Sequence, residues 1–355
     1  MQYTAIMDET TIGGKNPVGW TLGELTEWVT RHGAPIWRGT QLAEWLFHRC
    51  ETDPALMSNL PAALREALLS EAPPFLPAER TRRESEDGTV KWLLGLADGE
   101  TVETVLIPDG DRATCCVSTQ IGCPIGCRFC RTGQSGLVRN LEASEIVGQV
   151  LVAIRHLGAR EKLTNIVVMG MGEPLLNLEP VHRALLILTS SWGLAMAPRR
   201  ITVSTAGVLP MLPEFRRRHP EVNLAVSLNA PNQPLRDDLM PGARGWPLDL
   251  LLPLLSSLPG GGRHPVTLEY VLLGGVNDTP GHARELSRLV AGTGFTVNLI
   301  PWNPVAGGDF VPSDPETVND FAKALAEAGV FVTVRRGRGA DIDAACGQLR
   351  AENRG

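Results

Sequence analysis

From residue 113 onward, short β-branched runs alternate with helical stretches, and this alternation constrains the fold more than any other feature of the chain. Candidate strands are Ala113–Ser118, Asn165–Gly170, Arg200–Thr205, Val222–Leu228, Val266–Leu272 and Phe295–Ile300. Between them lie amphipathic segments. Ile146, Val147, Val150, Leu151 and Ile154 form one apolar stripe, stopped by Gly158. Asp314 and Pro315 open another, with Val318, Phe321, Ala322 and Leu325 on one face and Gly329 at its end. Six such units predict an α/β fold with a parallel sheet and helices outside it. A partial barrel and an open doubly wound sheet both satisfy the pattern. In either case function belongs at the C-terminal ends of the strands.

The segment before residue 113 reads differently. Leu22, Leu25, Trp28 and Val29 recur at helical spacing, as do Leu42, Trp45, Leu46 and Arg49. Pro61 opens a third helix and Pro73-Pro74 closes it. Two strands then follow, Val90–Leu96 and Val102–Ile107, joined through Asp98-Gly99 as a β-hairpin. Glu103 lies near the start of the second.

No apolar run reaches the eighteen residues of a membrane span; Leu248–Leu258 is interrupted by Asp249 and Pro253. With no secretory leader pattern near the start, a cytoplasmic protein is expected. A formal net charge of −6 argues against a nucleic-acid partner. The arginines are nevertheless clustered: Arg80, Arg82 and Arg83; Arg128, Arg131 and Arg139; Arg199 and Arg200; Arg216, Arg217 and Arg218; Arg335, Arg336 and Arg338. Such clusters are solvated faces or local phosphate contacts.

Of seven cysteines, five (Cys115, Cys116, Cys123, Cys127 and Cys130) fall within sixteen residues. In a reducing compartment this is not a disulfide framework. Cys123, Cys127 and Cys130 form a C-x3-C-x2-C run just after the first predicted strand, with Gly122 and Gly126 permitting a tight backbone. Four-iron clusters usually take four thiolates, so three leave one iron open to a small molecule. Zinc completed by a distant ligand, or free thiols, are the alternatives; no histidine lies near the run to complete a zinc set. A second strand-end turn is Met169-Gly-Met-Gly172-Glu173-Pro174, where glycine lets a ligand approach the backbone and a carboxylate can hold an ammonium group. Ser204, Ser227-Leu228-Asn229 and Asn303 fall at the same expected sheet edge.

The run with Phe129 before its last cysteine, beside Gly172-Glu173-Pro174, resembles the radical S-adenosylmethionine (SAM) enzymes. Cys116-Val-Ser-Thr-Gln, MGMGEPLLN, SLNAPN, NLIPWNP and the segment around Cys346 are similar, in order along the whole chain, to the RlmN/Cfr group of RNA adenine methyltransferases. The resemblance implies a partial (β/α)6 barrel, one [4Fe-4S] cluster on Cys123, Cys127 and Cys130, and two SAM per turnover. It implies SAM contacts at Gly172, Glu173, Ser204, Ser227, Leu228, Asn229 and Asn303. Asn229 departs from the pattern, which usually has histidine there.

An adenine ring carbon has no usable lone pair, which is why a radical route is needed. By resemblance, Cys346 carries the methyl group as S-methylcysteine. Cys116 resolves the covalent RNA adduct through a transient disulfide with Cys346. Glu103 is the proton acceptor. Cys115 and Cys50 read as small buried hydrophobes. The target adenine must be single-stranded or flipped out. Partners implied are 23S rRNA, tRNA and an electron donor such as flavodoxin or ferredoxin, with a monomeric enzyme. Four regions are expected: 1–75, helical and RNA-binding; 76–112, a linker and hairpin carrying Glu103; 113–340, the barrel; and 341–355, carrying Cys346. Motif details favour adenine C2 over C8 as the methylated carbon. A non-catalytic iron–sulfur protein would leave Cys346 and Cys116 without a role.

Overall fold

The computed structural model describes residues 16–71, 75–259, 265–305, 308–335 and 337–350. Pro73-Pro74, Arg336 and the ends of the first and last expected regions lie outside the described residues.

One sheet of ten strands organises the molecule. Its strands are β1 (Ala78–Glu84), β2 (Val90–Gly95), β3 (Thr101–Asp109), β4 (Arg112–Cys116), β7 (Leu163–Val168), β8 (Ile201–Thr205), β9 (Asn223–Ser227), β10 (Thr267–Leu272), β11 (Thr296–Pro301) and β12 (Phe331–Val334). The short strands β5 (Gln120–Gly122) and β6 (Leu137–Asn140) form a separate antiparallel pair. From β4 to β12 all neighbours in the large sheet are parallel and stand in chain order. A doubly wound sheet needs a reversal of strand order. Without one, right-handed crossovers place every helix on the same face. The sheet therefore curls as a partial barrel, which resolves the alternative left open by the pattern. All six candidate strands are present, and Phe331–Val334 adds a seventh parallel strand.

The expected hairpin is real but larger. Val90–Gly95 and Thr101–Asp109 pair antiparallel, with Leu93 opposite Glu103. On one side β1 joins them; on the other, β3 pairs with β4, so this antiparallel wing is continuous with the barrel sheet. Strand β1 escapes a hydrophobicity reading because every residue in it is exposed. An edge strand carrying this many charges resists pairing with another chain.

The first helix, Leu22–Arg31, is closed by a reciprocal cap. Thr21 Oγ1 accepts from Glu24 N at 3.3 Å, and Thr21 N donates to Glu24 at 2.7 Å. Trp37–Ala43 runs on into a π-helical turn, Glu44–His48, and Ala62–Glu71 follows Pro61. This module docks on the barrel helix Ala143–Leu157 through Gly19, where an added Cβ would stand 2.6 Å from Ser144 N. No helix among the described residues is long and apolar enough to cross a membrane.

Candidate active site

The cysteine run lies between β5 and β6, at the C-terminal edge of the parallel strands. Close backbone approach shapes it. Gly122 has φ +77°, and a Cβ there would fall 1.8 Å from Gly136 O. One on Gly133 would meet Cys127 N at 2.7 Å. Cys123 N donates to Gly136 O at 2.8 Å and Cys130 N to Cys127 O at 3.1 Å. The loop is held from outside by Arg128 N donating to Leu239 O (3.0 Å), Gly242 N to Ile125 O (2.8 Å), and the Trp302 indole to Phe129 O (2.9 Å).

Cys123, Cys127 and Cys130 line one inner cavity of about 160 Å³ together with Gly172, Glu173, Ser204, Ser227 and Asn229. Among the described residues, no three His, Cys, Asp or Glu side chains converge on a point as a single metal ion demands. Cys123, Cys127 and Cys130 sit on one short loop and line one cavity, as three thiolate ligands of an iron–sulfur cluster must. Burial pushes the Cys123 thiol up to about 12 and Cys127 well above its ordinary value, and the neighbouring thiols add to both. Binding iron would relieve this by taking thiolates. The donor set therefore fits a three-cysteine cluster, with Glu173 across the cavity.

Glu173 is almost fully buried. It accepts from Thr205 Oγ1 (2.6 Å), Ala206 N (2.6 Å) and Leu175 N (3.0 Å). Burial outweighs these bonds and raises the carboxyl to about 7. Gly172, at φ +105°, leaves no room for a Cβ against Gln120, whose side-chain oxygen accepts from Glu173 N at 2.7 Å.

The remaining predicted contacts divide. Ser204, Ser227 and Asn229 line the inner cavity, whereas Leu228 is buried in the core and its N–H donates to Glu269 O (2.9 Å). Asn229 sits at φ +58°, which asparagine tolerates better than most residues. Its Oδ1 accepts from Val271 N (2.9 Å) and its Nδ2 donates to Met240 Sδ (3.3 Å), so its side chain ties β9 to β10. Asn303 belongs instead to an outer cavity of about 470 Å³, lined also by Cys116, Thr114 and Asn298.

Cys346 lines both cavities. Its segment runs between barrel and wing as a strap. On the barrel side, Arg131 N donates to Gly347 O (2.8 Å) and Gln348 Nε2 to Pro304 O (2.8 Å). On the wing side, Ser85 Oγ donates to Asp341 (2.6 Å) and Gly339 N to Asp87 (3.1 Å). Cys116 ends β4, and burial pushes its thiol up to about 12, with Cys346 adding to the rise and Arg335 opposing it. Cys115, on the opposite face, is fully buried, and Cys50 is buried as well.

Glu103 does not share a cavity with Cys346. It lies in a third, polar cavity of about 150 Å³, paired with Lys91 at 3.1 Å and accepting from Arg350 N at 2.8 Å. Lys91 Nζ also donates to Asp343 O at 3.0 Å, so this ion pair grips the strap on both sides of Cys346. Burial raises the Glu103 carboxyl and Lys91 opposes the rise.

Sequence reasoning missed Glu269 and read Arg335 only as part of a basic cluster; both line the inner cavity. Arg335 bears on the Cys346 and Cys116 thiols and on Glu269. The available signal was a glutamate inside a parallel strand, where both faces are normally apolar.

Family models agree with the architecture. One described as "Radical SAM superfamily" matches residues 117–286, and one described as "Ribosomal RNA large subunit methyltransferase N-terminal domain" matches 15–73. The dual-specificity RNA methyltransferase RlmN of Syntrophobacter fumaroxidans is 45% identical, over 94% of this chain and 97% of its own length. That of Halorhodospira halophila is 46% identical, over 91% and 89%. A crystal structure of a radical SAM methyltransferase from Sphaerobacter thermophilus superposes with a TM-score of 0.90 at 42% identity, over 95% of this chain and 99% of that one. A three-thiol loop, a buried strand-end carboxylate and a cysteine strap, in a chain this similar to those proteins, leave one conclusion: it belongs to the RlmN family of radical SAM RNA methyltransferases, whose chemistry rests on a [4Fe-4S] cluster and SAM.

Proposed function

We propose that this enzyme methylates C2 of an adenosine in the peptidyl-transferase centre of 23S rRNA and the tRNA adenosine 3′ of the anticodon, with Cys346 as the methyl carrier. The observation carrying this reading is the position of Cys346 on the wall common to the inner and outer cavities. Cys123, Cys127 and Cys130 would hold the cluster, and Glu173 with Gly172 the ammonium end of SAM. When bound, cluster and SAM supply the methyl group and, after one-electron reduction, a hydrogen-abstracting radical.

The chain's own residues do the rest. Cys346 presents its sulfur first to the inner cavity and then to a base in the outer one. Arg335 lines both cavities beside Cys346, and its charge opposes the rise that burial gives the Cys116 thiol. Cys116, in the outer cavity, attacks the Cys346 sulfur: the transient Cys116–Cys346 disulfide forms, the bond from the Cys346 sulfur to the transferred carbon breaks, and that carbon takes up a proton to complete the methyl group. For Glu103 to take the proton from the methylated carbon, the strap between its cavity and the outer one has to move aside, releasing the carboxylate from Arg350 N. Support for the RlmN-type position over C8 comes from the dual-specificity relatives described above. A low-potential donor such as flavodoxin or ferredoxin, a monomeric enzyme and a cytoplasmic setting complete the reading.

Nucleoside mass spectrometry of RNA from a deletion strain should show loss of 2-methyladenosine. Loss of 8-methyladenosine alone would overturn the assignment. Cys346→Ala should abolish RNA methylation while iron content stays unchanged, and retained methylation would remove its carrier role.

A further inference from the structure

We propose that the third cavity, beside Glu103, binds a backbone phosphodiester of the RNA substrate; this rests on the RNA-methylating reading above. Arg83, Lys91, Arg131 and Arg350 line it against two carboxylates, Glu103 and Asp343. These cations come from β1, β2, the turn after Cys130 and the strap, so only the tertiary fold brings them together. In a chain of net charge −6, four cations against two carboxylates make a local excess of positive charge that attracts an anion.

Several arginines elsewhere are committed to protein partners. Arg139 bonds Asp98 and Glu145, and Arg217 and Arg218 bond Glu214. Arg216 is buried and donates to the carbonyls of Pro220 and Val222. Arg128 pairs with Asp238. By contrast, among the described residues no carboxylate stands within ion-pair distance of Arg83, Arg131 or Arg350. Lys91 is already shared between Glu103 and the Asp343 carbonyl. The three guanidiniums therefore have donors to spare, in the fork geometry that suits phosphate oxygens.

Location supplies the second argument. Asp343, Gln348 and Arg350 of the strap line this cavity, while Ala344 to Gly347 and Leu349 line the outer one. The two cavities lie on either side of one short segment. A nucleotide whose base enters the outer cavity beside Cys346 has its backbone passing over the strap toward the arginines. A phosphate there would fix the register of the target base without reading sequence.

The test uses the full-length, cluster-loaded enzyme and two transcripts, a tRNA and a 23S rRNA fragment containing the peptidyl-transferase loop. Affinity is measured between about 50 and 200 mM salt for wild type, Arg83→Gln, Arg350→Gln and the double variant. One lost phosphate contact should lower the salt slope by about 0.7, and the double variant should bind about tenfold more weakly at low salt. The losses should be equal for both RNAs and for transcripts with the target adenosine replaced. Arg217→Gln, an exposed residue paired with Glu214, should change neither quantity. An unchanged slope in the double variant, with iron content intact, would overturn the phosphate site. Failure of the wild type to bind either RNA would overturn the RNA reading instead.

Discussion

The inner cavity and the strap meet at Cys346 but are built on opposite principles. The cavity is walled by backbone in contact with backbone: Gly122 against Gly136, Gly133 against Cys127, Gly242 against Ile125. The strap is held by side chains and single hydrogen bonds, through Ser85, Asp87, Lys91 and Glu103 on one side and Gln348 on the other. Close-packed backbone has no second arrangement of similar energy, whereas polar latches can exchange partners with water or RNA at small net cost. The fixed half suits reagents that must be aligned. The detachable half suits a sulfur that must serve two cavities in turn.

Their carboxylates differ accordingly. Burial lifts Glu173 to about 7. Asp87 also loses solvation, but bonds from Thr89, Gly339 and Ser85 outweigh that loss and hold it near 2. Near neutral pH the inner site changes charge and the strap latch does not.

The contrast breaks first at Gly122. Gly122→Val puts a side chain into Gly136 O at a positive φ, and we expect no cluster loading, measured as iron per chain and visible absorbance. Normal loading would show that the loop wall is not rigid. Next is Lys91→Met, which strands a buried carboxylate. Removing one partner of such a pair costs about 3–5 kcal/mol, and Lys91→Met with Glu103→Leu should recover much of it in urea unfolding.

Glu173 gives the third test. SAM should bind up to about tenfold more weakly for each pH unit below about 7, as the carboxylate protonates, and Glu173→Gln should flatten that profile. The folding linkage has its own sign. A folded pKa raised above the unfolded value gives stability that is complete below pH ~4.5 and lost as pH rises through about 7. SAM should therefore raise the melting temperature more at alkaline than at mildly acidic pH; equal shifts would exclude a Glu173–ammonium contact. The smallest effect is expected at the latch. Asp341→Ala removes the bond from Ser85 at an exposed position and should show only as faster proteolysis of the strap, with cluster content unchanged. Unchanged proteolysis would mean that the barrel contacts alone hold the strap.

Much of the site is legible in the sequence, because it is written in local patterns. Gly122, Gly126 and Gly172 mark positions where the backbone must turn left-handed or approach closely, and all three have positive φ. Cys123, Cys127 and Cys130 share a cavity because the five residues between them, folded into one tight loop, cannot carry them far apart. The six βα units were readable from period and length. Strand β1 was not, since its charges carry no alternation, and neither was the placement of Asn303 in the outer cavity.

By itself, then, the sequence determined the six βα units, the thiol loop and the chemistry its residues can support, since these depend on side-chain type and short-range backbone geometry. Strand order, the seam that grips Cys346 and the company kept by Glu103 were decided only in three dimensions. Lys91 reaches Asp343 across 252 positions of chain, and Arg350 reaches Glu103 across 247. No local preference encodes such pairings; they form because burial of the barrel core brings wing and strap together and leaves their polar groups no better partners.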